Sequence, residues 1–301
     1  MKMQVIASGL GFVEGPVWHD DTLWFTQIDD ATVGRVDGWD GDRNATGTSV
    51  VAETGGGPNG MTLGPDGVFY VANNGGAVHD THRRPAAIQR LEGGTATDLV
   101  TKAGDVELRA CNDLCFGPDG RLYFTDPANS PMPPLEHPCH VCRVDLETGR
   151  AEVLHTGLQY PNGIGFHPDG DRLIVAETFG ASVHAFPWSA DGLGEPEVYC
   201  QTSEPAAAPD GFCFDEEGRL YVAGTLKGEV QVFDRDGNLV DQLAVGEGTL
   251  PTNACFGGPD MTTLYVTDSA VLEPPGHGQR DRQRLVAYDI GVRGLPLFTG
   301  D

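Results

Sequence analysis

The chain has 301 residues, with 44 acidic against 19 basic side chains and a formal net charge of −25. A surface this negative repels nucleic acid and anionic membranes, which argues against both as partners. No apolar run approaches the roughly 18 residues of a membrane span, and 42 Gly, 21 Pro and 39% hydrophobic residues suit many short strands joined by turns.

The first ten residues, Met1 to Leu10, hold no apolar stretch of signal-peptide length, so a cytoplasmic location is expected. Residues 3 to 7 read as a short strand without a hairpin of its own. Then a pattern begins that recurs to the end of the chain. Its copies start at Glu14-Gly-Pro-Val-Trp, Asn59-Gly-Met-Thr-Leu, Asn112-Asp-Leu-Cys-Phe, Asn162-Gly-Ile-Gly-Phe, Asp210-Gly-Phe-Cys-Phe and Asn253-Ala-Cys-Phe, spaced 45, 53, 50, 48 and 43 residues apart. Four copies run on through a Pro-Asp-Gly or Glu-Glu-Gly turn into a second apolar strand, as in Arg121-Leu-Tyr-Phe-Thr-Asp. A period of 40 to 50 residues with about four short strands per unit predicts an all-β fold, a six-bladed β-propeller forming one domain over 1–301. The last copy offers three strands only, so the N-terminal strand is expected to complete the last blade and close the ring.

Alternating strand direction sorts the connections onto two faces. The Pro-Asp-Gly turns lie at one end; the front residue of each copy and three long connections, Asn73 to Ala87, Asp126 to Pro138 and Asp268 to Arg284, lie at the other. Glu14, Asn59, Asn112, Asn162, Asp210 and Asn253 should therefore ring the axis at one mouth. Asn-Gly and Asp-Gly also form turns without any ligand. A ring of carboxylate and amide oxygens, lacking His and Cys, suits one hard divalent cation: calcium first, with magnesium, manganese or zinc as alternatives. The seven cysteines read as thiols, and Cys139-His-Val-Cys142 reads as a strand rather than a zinc motif. No Gly-x-Ser-x-Gly elbow is present.

Glu14-Gly-Pro-Val-Trp, Asn112-Asp, Pro161-Asn162-Gly and Pro209-Asp210-Gly, in that order on a six-fold repeat, resemble the senescence marker protein, gluconolactonase and luciferin-regenerating enzyme family. The resemblance implies a metal held by Glu14, Asn162, Asp210 and Asn112. It also implies a lactonase, a metal-dependent carboxylic ester hydrolase opening a sugar lactone. In that reading the cation is a Lewis acid and Asp210 activates water, with Asn112 as the other catalytic residue. Substrate contacts are expected from Asn112, Asn59, Arg109, Arg83 and His82, with Arg84, His79, His137 and His277 in the same long loops. Several sugar lactonases carry Arg two residues before the Asn matched to Asn112, where this chain has Ala110; Arg109 serves only if the approach is a loop or bulge. The expected partner is a small-molecule lactone and the chain a monomer or weak homo-oligomer. A phosphotriesterase on the same metal and a non-enzymatic binding propeller are the alternatives.

Overall fold

The computed structural model describes residues 2–39, 45–78, 82–127, 135, 137–205, 207–269 and 282–296. Among them the fold is all-β and propeller-like, and the helical element is one 3-10 turn, Thr225–Lys227. No described helix is long and apolar enough to cross a membrane.

Each front residue of the repeat lies within the first three residues of the first strand of an antiparallel meander, except Asn112, which stands two residues ahead of Leu114–Phe116. The first meander is Val13–His19, Thr22–Gln27, Thr32–Asp37 and Gly47–Glu53, and the second is Pro58–Leu63, Phe69–Asn73, Ala87–Glu92 and Thr95–Val100. The third runs from Leu114–Phe116 through Leu122–Asp126 and His140–Asp145 to Arg150–Thr156. The fourth starts at Pro161–Phe166, the fifth at Pro209–Phe214 and the last at Pro251–Gly257. The sheets do not separate one per repeat. The first two meanders merge into a single eight-stranded sheet, because their outermost strands meet in one parallel pairing, Glu53 with Thr95. The last meander supplies three strands and takes its fourth from the other end of the chain: Met3–Ser8 pairs antiparallel with Arg284–Asp289, Met3 opposite Tyr288.

Burial follows distance from the axis. The second strands Phe69–Asn73, Leu122–Asp126 and Leu220–Gly224 are buried at every residue, whereas the outer strand Leu239–Ala244 is exposed at five of its six positions. Inner strands have sheets against both faces and are buried; outer strands face water along most of their length. The apolar clusters lie between successive meanders: Val17, Val33, Met61 and Val71 join the first to the second, and Tyr123, Val141, Ile164 and Leu173 the third to the fourth. The ring closes through Ile6, Val13, Leu23, Phe25, Tyr265 and Leu285, where the N-terminal strand meets the first and last meanders. Polar latches cross the same seam. Thr252 Oγ1 and Ser269 Oγ donate to the Val13 carbonyl at 2.9 and 3.1 Å, and Trp39 Nε1 donates to the Tyr265 hydroxyl at 2.8 Å.

Ile6→Ala removes a buried side chain from this seam while leaving the strand pairing in place. Chemical denaturation is expected to show a loss of about 2–4 kcal/mol; an unchanged midpoint would mean that the N-terminal strand does not share in the cooperative fold.

Candidate metal and catalytic site

Five of the front residues sit inside strands rather than in turns, and Asn112 stands in the loop two residues before Leu114–Phe116. Asn59, Asn162 and Asp210 are each the second residue of an inner strand, and the strand pairing shifts register just after them, between Pro58 and Met61, Pro161 and Ile164, and Pro209 and Phe212. Glu14 sits at the same kind of irregularity, between Glu14 and Val17. These bulges turn one side chain per strand out of the regular alternation.

The glycine that follows has a steric cause. A β-carbon on Gly60 would lie 2.2 Å from Asp113 Oδ1, one on Gly163 would lie 2.4 Å from the Asp210 carbonyl oxygen, and one on Gly211 would lie 2.0 Å from the Asn253 side chain. Inner strands of neighbouring meanders touch there, and only glycine fits. The turn-forming explanation of these dipeptides is thereby overturned. Hydrogen bonds tie the contacts: Thr26 Oγ1 donates to the Asn59 carbonyl at 2.6 Å, the Gly60 amide to the Asn112 carbonyl at 2.7 Å, and Thr125 Oγ1 to the Asn162 carbonyl at 2.8 Å.

This packing gathers Glu14, Asn59, Asn112, Asp113, Asn162, Asp210 and Asn253, all buried. Asp113 is the residue that reading the repeat missed. It occupies the place held by glycine in four other copies and by Ala254 in the last, and that departure was the available signal. Asn253 Nδ2 donates to Glu14 Oε2 and to Asp113 Oδ2, both at 3.3 Å, bridging two carboxylates. Asn162 Nδ2 donates to Thr178 Oγ1 at 3.2 Å, and the Asn162 amide and the Gly211 N–H also donate to Asp210. With its amide hydrogens so engaged, Asn162 keeps Oδ1 as a free acceptor. The Asn112 side chain has no hydrogen-bond partner among the described residues.

Among the described residues, no Lys, Arg or His forms an ion pair with Glu14, Asp113 or Asp210. Burial, and then the charge of Asp113, raises the Glu14 carboxyl to about 8. Burial lifts Asp113 to about 6, and Asp210 stands well above its usual range through burial and the charges of Glu14 and Asp113. Three buried carboxylates without a counter-charge, surrounded by amide oxygens, fit a hard divalent cation. Tyr160 precedes this ring at φ 66°, and its phenol is raised by burial and by Asp210.

Other predicted contacts stand apart. Residues 108–113 form no strand, so the approach to Asn112 is a loop, yet Arg109 is exposed and its main-chain N–H is held by Asp126 Oδ1 at 3.0 Å. His82 and Arg83 are exposed. Arg84 is tied to the Thr54 carbonyl at 2.7 Å and to Asp98, a structural strut. His79 and His277 lie outside the described residues. A second group of possible ligands, His167, Asp169 and Asp171, sits at a turn of the other face, where Arg235 Nη2 donates to Asp169 Oδ1 at 2.8 Å and Arg172 Nε to Asp171 Oδ1 at 3.3 Å. Arginine already neutralises that group. From the ring toward that face runs a cavity of about 660 Å³, with Asp113 and Asn253 at one end, His167 and Pro168 at the other, and Met61, Ile164 and Phe212 between.

A family model described as the SMP-30/Gluconolactonase/LRE-like region matches residues 12–270. The chain belongs to this family. It is similar to the pentonolactonase XacC of Haloferax volcanii, 27% identical over 99% of this chain and 97% of that one. It is also similar to a gluconolactonase of Zymomonas mobilis, 27% identical over 89% of this chain and 79% of the relative. A solved structure of a calcium-binding protein, regucalcin, from Agrobacterium tumefaciens shares the fold, with a TM-score of 0.77 over 98% of this chain and 96% of that one, at 21% identity.

The raised carboxyls give a signed pH dependence in chelator-treated protein. Asp113 and Glu14 hold protons more tightly folded than unfolded, so their stabilisation is full below their ordinary values of 3.8 and 4.5. It is lost as pH climbs through about 6 and then about 8. Thermal unfolding without cation should show a midpoint falling from about pH 4 to about pH 8, and an added divalent cation should flatten the slope. A chelated protein whose midpoint holds level or rises over that range would contradict this account.

Proposed function

We propose that this chain is a lactone hydrolase built as a single six-bladed propeller over 1–301, the eight-stranded sheet counting as two blades. The observation that carries the reading is the cluster of buried carboxyls, Glu14, Asp113 and Asp210, that no basic side chain among the described residues pairs. The two lactonase relatives, each aligned over most of this chain, point to sugar lactones as the substrate class.

Glu14, Asn162, Asp210 and Asn112 would hold the cation, and the calcium-binding relative supports calcium. Such an ion supplies Lewis acidity at a carbonyl oxygen. The chain's own residues do the rest. Asp210, held by Asn162 and the Gly211 N–H, takes a proton from water as its oxygen attacks the lactone carbonyl carbon. The ring C–O bond then breaks, and the proton held by Asp210 returns to the departing alkoxide oxygen, giving a hydroxy acid. Asn112, whose amide is unengaged, contacts the substrate beside the reacting carbonyl. Asn253 keeps Glu14 and Asp113 apart and oriented through its two donated hydrogen bonds. The apolar cavity walls limit water behind the ring.

Asp210→Asn preserves shape but removes the base, and kcat on a sugar-lactone panel should fall by about 10²–10⁴-fold. Glu14→Gln should lose bound metal in elemental analysis, and chelation should abolish activity that returns with a divalent ion. Full activity in chelated protein or in Asp210→Asn would sink the mechanism, and turnover confined to phosphotriesters in the same panel would replace the substrate class.

A further inference from the structure

Asn162 can serve a cation only through Oδ1, since the other end of its amide carries two hydrogens. Which end is left for the cation is decided by what the amide bonds. Its Nδ2 donates to Thr178 Oγ1 at 3.2 Å and to Asp210, and among the described residues nothing donates to its Oδ1. Thr178 directly follows the second strand of the fourth meander, Arg172–Glu177, and is half-buried.

The direction of the Thr178 contact is fixed by a third group. Thr178 Oγ1 also stands 2.9 Å from the Pro209 carbonyl, which can only accept, so the one hydroxyl hydrogen is committed there. Toward Asn162 the hydroxyl therefore presents lone pairs. An amide turned end for end would set Oδ1 against those lone pairs and leave its NH2 group for the cation. The threonine itself is clamped: its main-chain N–H donates to the Tyr160 carbonyl at 3.1 Å, and Glu177 beside it accepts from the Gln159 N–H at 2.6 Å and from His184 Nε2 at 2.9 Å. Two other hydroxyls hold the same place after second strands. Thr225 Oγ1 turns back to the Ala208 carbonyl at 2.8 Å, and Ser269 Oγ engages the main chain of Val13, so both hold backbone where Thr178 also holds a ring side chain.

We infer that Thr178 is a positioning residue: with its hydrogen committed to Pro209, its hydroxyl locks the Asn162 amide in the orientation that leaves Oδ1 for the cation. The inference rests on the cation reading of the ring and not on which ester is opened. It also links two of the ligands, because one hydroxyl joins the side chain of Asn162 to the residue before Asp210.

The test reads cation binding, not turnover. The full chain, treated with chelator, is titrated with calcium by calorimetry. Thr178→Val keeps the shape and removes the hydroxyl, and should weaken calcium by about 10- to 100-fold; Thr178→Ser keeps the hydroxyl and should bind as wild type does. Thr178→Ala repeats the measurement should Thr178→Val not fold. The decisive comparison is made in Asn162→Asp, whose two carboxylate oxygens leave no amide end to choose. There Thr178→Val should cost no further affinity, whereas a hydroxyl that only braced the fold would cost the same in both backgrounds. Equal losses in the two backgrounds overturn the inference, as does wild-type affinity in Thr178→Val or a Thr178→Ser loss as large as that of Thr178→Val. Wild-type protein that takes up no calcium, magnesium or manganese removes the cation reading and this inference with it, whereas wild-type uptake unmoved by Thr178→Val removes the inference alone.

Discussion

The fold depends on how closely its inner strands approach one another. Where Gly60, Gly163 and Gly211 pass their neighbours there is no room for a single carbon, because carbonyl oxygens and side chains of the next meander already occupy it. The approach brings one polar side chain per copy toward a common axis, and the bulges at Glu14, Asn59, Asn162 and Asp210 take those side chains out of the regular alternation. A looser ring would leave the same carboxylates far enough apart to be hydrated singly. The tight ring forces Glu14, Asp113 and Asp210 into one buried space, and their mutual repulsion there is relieved only by protons or a cation. Packing geometry thereby favours a proton or a cation among these carboxyls.

Much of this was legible in the repeat. Six similar copies, their spacing and the three-stranded last copy led to a circular all-β arrangement closed by Met3–Ser8, because blade folds write the same burial pattern into each unit. The ring's membership was legible for the same reason. Two things were not. The merger of the first two meanders through Glu53 and Thr95 is a contact between outer strands, where sequence is polar and carries little pairing signal. Asp113 does not stand at the front position of its copy but at the next one, where a carboxylate replaces the glycine that elsewhere permits close approach. Gly60 shows the complement: its missing side chain is what admits Asp113 Oδ1.

The axis also separates two chemical environments. Above the inner strands lie oxygen donors and loops; below lies a cavity walled by Met61, Leu114, Ile164, Phe212 and Phe214. The apolar floor lowers the local dielectric beneath the ring, which strengthens every charge interaction in it and raises the cost of leaving the carboxylates uncompensated. The same floor explains why the thiols of Cys115 and Cys213, which line it, are pushed well up by burial and serve as small packing groups rather than nucleophiles.

The net charge of −25 acts on a longer scale than the ring. Under the lactone-opening reading a neutral lactone feels little of that field on entry, whereas the hydroxy acid formed by ring opening leaves as an anion and is repelled by it. Screening confines the effect to roughly 8–10 Å in physiological salt, so it works at the mouth and not across the solution. Divalent cations are drawn to the same surface, which raises their concentration near the ring. Under the lactone-opening reading, the acidic surface and the buried carboxylates act in one direction: the first holds cation near and sends product away, and the second gives that cation its place.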